Sequence, residues 1–98
     1  MQNSGWPFAD PPNVAVFVAA AVLDGDDWIH LVTHDDEDGA WQFHPRTAAP
    51  TGAQAQVVSL ELVVRLEPRV LELADLPLGW SARRDTPNGP WHRKPTNE

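Results

Sequence analysis

The 98-residue sequence contains no cysteine, which excludes disulfides, thiolate nucleophiles and Cys-based zinc sites together. Any metal would have to be held by His or carboxylate ligands. Long hydrophobic runs are missing too. The longest, Val14 to Leu23, falls well short of the roughly 18 to 20 apolar residues that a membrane-spanning helix needs. Met1 to Phe8 has no basic stretch leading into an apolar one, so no secretory signal is read and the expected setting is the cytoplasm, with no membrane partner. Basic residues are scarce: seven Lys and Arg against fourteen Asp and Glu leave a formal net charge of −7. That balance is the opposite of what neutralising phosphates requires, and it argues against a nucleic-acid partner.

What is present suits one small globular domain. The hydrophobic fraction of 42% and charged fraction of 21% are ordinary for a folded chain, and the length allows one core. Ten prolines and six glycines cut the chain into short elements. The acids are unevenly placed. Seven of the fourteen (Asp24, Asp26, Asp27, Asp35, Asp36, Glu37 and Asp38) lie between residues 24 and 38, a stretch with no Lys or Arg. The tail reverses this, Arg83, Arg84, Arg93 and Lys94 outnumbering Asp85 and Glu98.

Residues 1–13 hold three prolines and no periodicity, which predicts an irregular arm with Trp6 and Phe8 as anchors; residues 14–94 form the domain, and Pro95 to Glu98 a frayed tail. Val14 to Val18 is β-branched and apolar, a buried strand, while Ala19 to Leu23 fits either a helical turn or more strand. From Trp28 to Thr33 the pattern alternates, Ile29, Leu31 and Thr33 against Trp28, His30 and Val32. Trp41 and Phe43 alternate with Gln42 and His44, so the polar segment His34 to Gly39 reads as the tip of a β-hairpin. Residues 45–53 read as a flexible connection, and Gln56 to Val58 as a short strand. Ser59 is placed to cap a helix from Leu60 to Leu66, and Pro68 to open a second, Arg69 to Ala74, burying Val70, Leu71 and Ala74. Trp80 to Asp85 and Trp91 to Arg93 complete a second hairpin. The expected fold is α+β: a small antiparallel sheet of about four or five strands packed against two short consecutive helices.

Three constellations carry candidate chemistry. His34-Asp35-Asp36-Glu37-Asp38-Gly39 is rich in oxygen ligands, but aligning Gly39 with the calcium-loop glycine puts His34 at the first ligand position and Pro45 at the last. A solvated hairpin tip is the simpler reading. His30, His34 and His44 are the alternative, a transition-metal or small-ligand site, although His30 and His34 stand roughly 13 Å apart along an extended strand. The three serines, Ser4, Ser59 and Ser81, lie in no nucleophile pattern, and adjacent exposed acids lack the apolar walls that separate two carboxylate pKa values. No catalytic residue and no cofactor is therefore expected. Of the tryptophans, Trp41 and Trp80 are expected to be core, Trp28 and Trp91 more exposed.

Asp38-Gly39-Ala40-Trp41-Gln42-Phe43, Val57-Val58-Ser59-Leu60, Glu67-Pro68, Leu76-Pro77-Leu78-Gly79-Trp80 and Pro90-Trp91 follow one another in an order and spacing that resembles a family of small bacterial domains of unknown function, also counted among the immunity proteins of polymorphic toxin systems. The likeness spans about residues 14 to 94. It implies a non-catalytic module with a protein partner such as a basic toxin, and no residue-level chemistry comes with it. Such a module presents acids to a cationic cleft, gaining association rate by steering. The expected partner-binding residues are Asp35, Asp36, Glu37 and Asp38, with Trp28.

Overall fold

The structure is a computed structural model that describes residues 6–46 and 55–96. It is an α+β protein with a six-stranded mixed sheet and three short helices. The elements run β1 (Ala15–Ala19), α1 (Ala20–Leu23), β2 (Ile29–His34), β3 (Trp41–Pro45), β4 (Ala55–Ser59), α2 (Leu60–Leu66), a 3₁₀ helix (Pro68–Leu73), β5 (Trp80–Arg83) and β6 (His92–Pro95). The expected connection at residues 45–53 falls largely outside the described residues.

Strand order is β4-β1-β3-β2-β5-β6, and β1 runs parallel to β3. The expectation of a purely antiparallel sheet with four or five strands is thus corrected. The reason is a double reversal. After β1, α1 and the turn that follows it return the chain antiparallel as β2, one strand position away; the β2–β3 hairpin then reverses it again and drops β3 into the gap. Two reversals restore the original direction, so the neighbours β1 and β3 are parallel. No local pattern in either strand records that placement.

One face of the sheet carries Val16, Val18, Val32, Trp41 and Phe43 into a core completed by Leu60 and Val63 of α2 and Val70 and Leu73 of the 3₁₀ helix. Ser59 caps α2 as its sequence suggests, its Oγ accepting from Leu62 N–H at 3.2 Å. The second helix winds as 3₁₀ rather than α, so burial follows a period of three: Val70 and Leu73 are buried, while Leu71 and Ala74 lie at the margin. The arm contributes Phe8, only 5% exposed, whose ring meets the edge of Trp41 at 5.4 Å.

One more expectation shifts. A register slip between Ile29 and Leu31 turns Ile29 into the core beside Val32, breaking the strict alternation predicted for β2. In the expected tail at 95–98, Pro95 closes β6 and Thr96 N–H donates to Gly79 O at 2.7 Å, while residues 97 and 98 lie outside the described residues. No described helix is long and apolar enough to cross a membrane.

Candidate binding surface

The hairpin tip between β2 and β3 is built largely by its own acids. Asp35 N–H donates to Ala40 O at 2.8 Å and Gly39 N–H to Asp35 O at 3.0 Å, a closure for which Gly39 takes φ +74°, the left-handed region. Asp38 Oδ1 accepts from Ala40 N–H at 2.9 Å, the local bond that makes Asp a turn former. Asp35 Oδ2 accepts from Gln42 Nε2 at 2.7 Å. Asp36, Glu37 and Asp38 remain exposed. Three of the four acids are therefore displayed on a defined loop, and the fourth, Asp35, is tied down within it.

A second turn braces that tip. Trp80 N–H donates to Pro77 O at 3.2 Å, and Gly79 between them has φ +80°, the value a type II turn requires of its third residue. Gly79 N–H reaches His34 O at 2.7 Å, and the Asp36 side chain lies over Gly79 so closely that an added Cβ would stand 3.4 Å from Asp36 Oδ2. The same turn carries Leu78, 55% exposed.

Trp28 does not join them. It precedes β2, whereas the acids follow it, so about 20 Å of strand separates the two. Its ring instead meets His30 edge-on at 5.5 Å and lies 5.6 Å from the Arg84 guanidinium. Half-buried rather than exposed, Trp28 belongs to a structural cluster, and Trp91 joins it with its ring centre 4.4 Å from the same guanidinium.

Arg84 is the feature that sequence reasoning missed. Fully buried, it donates from Nε to Ile29 O at 2.8 Å and from Nη2 to Glu67 Oε1 at 3.1 Å, while Nη1 has no partner. Glu67 serves twice, its Oε2 accepting from Arg69 N–H at 3.2 Å at the start of the 3₁₀ helix. A signal existed: the alternation of Trp80 and Ala82 on the core side of β5, continued one step, places Arg84 on that side.

The three candidate metal ligands do not converge. His34 stacks on Trp41 at 3.8 Å and donates from Nδ1 to Leu76 O at 2.8 Å. His44 pairs with Leu31 on the opposite face of the sheet, where burial pulls its pKa below the usual 6.5 and the charge of Asp35 partly opposes that. His30 lies at the far end of β2 with Trp28. Among the described residues no group of three His, Asp or Glu could hold a metal ion.

Compared with protein-family models, curated proteins and solved structures, the chain matches none. The class of the protein is accordingly defined here by its fold and its surfaces.

Proposed function

We propose that this chain is a non-catalytic protein-binding module, immunity-like in character, that takes a basic protein partner on the acidic hairpin tip. One observation carries the reading: Asp36, Glu37 and Asp38 are exposed on a loop held in place by its own hydrogen bonds, and Asp36 lies against Gly79 of the turn that also carries the exposed Leu78. Carboxylates on an ordered loop lose little freedom on binding, which lowers the entropic cost of association. An exposed apolar side chain on a turn that adjoins an acidic loop offers the apolar centre that an interface with a polar rim needs. The uncompensated acids supply long-range attraction for a cationic surface and reject an anionic one. Asp35, bonded to Gln42, positions the loop, and Trp28 lies outside this surface.

The test begins with capture from the source organism's lysate on the intact chain, then reconstitution of any retained basic protein from purified components. Asp36→Asn, Glu37→Gln and Asp38→Asn together should slow association and flatten its salt dependence, and Leu78→Ser should speed dissociation. A partner that binds the triple variant and the intact chain equally well would falsify the assignment of this surface.

A further inference from the structure

The other face of the sheet carries a second feature, independent of the acidic tip. The ladder fixes its layout. Thr33 of β2 lies opposite Ser81 of β5, which lies opposite Lys94 of β6; one row along, Leu31 lies opposite Arg83, which lies opposite His92. Directly paired side chains in a sheet have Cβ atoms about 4.5–5.5 Å apart, so these six form one contiguous patch. Together with Thr96 they line a groove of about 360 Å³.

Three properties of this groove point to an anionic occupant. No carboxylate among the described residues lines it, in a chain with fourteen acids and only seven Lys and Arg. Its cations are available: Lys94 has no ion-pair partner among the described residues, and Arg83 makes only a 3.9 Å contact with the exposed Asp85, a pair weak enough to yield. Arg93, also at the rim, is engaged elsewhere, by Asp75 Oδ1 at 2.8 Å and Glu72 O at 2.7 Å. Finally, Ser81 is only 7% exposed, lines the groove, and makes no side-chain hydrogen bond with another described residue. That leaves the hydroxyl able to donate to an occupant of the groove.

We propose that this groove binds a small organic phosphate. Arg83 and Lys94 supply two positive charges for a dianion, Ser81, Thr33 and Thr96 supply hydroxyl donors, and Leu31 gives the organic body an apolar floor. Guanidinium to phosphate is a strong charge-assisted pairing.

Phenyl phosphate is the probe, with phenol and inorganic phosphate as comparators, followed by backbone amide NMR shifts on the whole chain. Phenyl phosphate should shift the amides of residues 31–33, 80–83 and 92–96 with saturation, at least about tenfold more tightly than phenol, the equivalent of one charge-assisted bond. Arg83→Gln with Lys94→Gln should remove the response while leaving the spectrum folded; Ser81→Ala should weaken it; Asp36→Asn with Glu37→Gln should leave it unchanged, which separates this site from the acidic tip. Three outcomes overturn the proposal: no saturable shift in these strands, a response to inorganic phosphate as tight as to phenyl phosphate, or a concentration-dependent self-association lost in the Arg83→Gln, Lys94→Gln variant, which would assign the groove to the acidic tip of a second copy.

Discussion

Truncating Arg84 to alanine should destabilise the fold more than removal of any surface charge. The guanidinium gives one hydrogen bond to Ile29 O and one to Glu67, and lies 4.4 Å from the ring centre of Trp91. Taking it away leaves a carbonyl and a carboxylate partly desolvated next to a void; breaking a buried ion pair from one side costs about 3–5 kcal/mol. A chain of this length has a total stability of about 5–15 kcal/mol, so the loss is a large share of the whole. At about 4–8 °C per kcal/mol, even 3 kcal/mol lowers the melting point by roughly 12–24 °C. Glu67→Ala should cost a similar amount, because it strands the guanidinium, whose Nη1 already has no partner, and also uncaps Arg69. Arg84→Met fills the space without charge and should cost less than Arg84→Ala. The assay is equilibrium urea unfolding followed by tryptophan fluorescence, since Trp28 and Trp91 both flank the guanidinium. A double-mutant cycle over Arg84→Met and Glu67→Gln should return a coupling of about 1.5–3 kcal/mol, the range for a hydrogen bond to a charged group. A cost below about 1 kcal/mol for Arg84→Ala would show that these contacts of the guanidinium do not hold the fold together.

Two further outcomes follow from the geometry. His44 is held below its unfolded pKa by burial, so the unfolded chain binds the extra proton first; the stability from burying neutral His44 is complete above about pH 6.5 and is lost as pH falls from there toward the folded pKa. His44→Gln should flatten that part of the pH–melting profile, and an NMR titration placing His44 at or above 6.5 would refute the assignment. Gly79→Ala forces a Cβ at φ +80°, a strain of about 1–2 kcal/mol, while the 3.4 Å approach to Asp36 adds only ordinary contact. Its melting point should fall accordingly, with amide shifts spreading from residue 79 into residues 34–36; a melting point unchanged from the parent would show that the turn is not fixed as described.

The parts legible from residue order alone are those decided by local physics. The Ser59 cap and α2 came from a hydroxyl ahead of an apolar periodicity, and both hairpins came from alternation broken by Asp, Gly and Pro. The class, α+β, follows from those elements. The acids of the hairpin tip could be located the same way, because a turn keeps its residues together whatever the rest of the chain does. Trp28 could not be placed: its grouping with the tip was an inference across the length of β2, and its real neighbours, Arg84 and His30, are set by the ends of strands that pair later.

Tertiary structure alone decided the mixed sheet, the partners of Arg84 and the groove. The parallel β1–β3 contact depends on where the β2–β3 hairpin lands, which the sequence of neither strand specifies. The β5 alternation points Arg84 toward the core, but its burial as a charge depends on Glu67, seventeen positions away, and the carbonyl of Ile29, fifty-five away, meeting its donors, and neither partner is marked in the sequence. The groove exists because β2, β5 and β6 align Thr33, Ser81 and Lys94 in one row, and register between strands distant in the chain is a property of the whole sheet. Composition and periodicity settle which stretches are strands and which side of each is apolar. Which strand lies beside which, and so which polar side chains share a surface, is settled only when the sheet closes over its core.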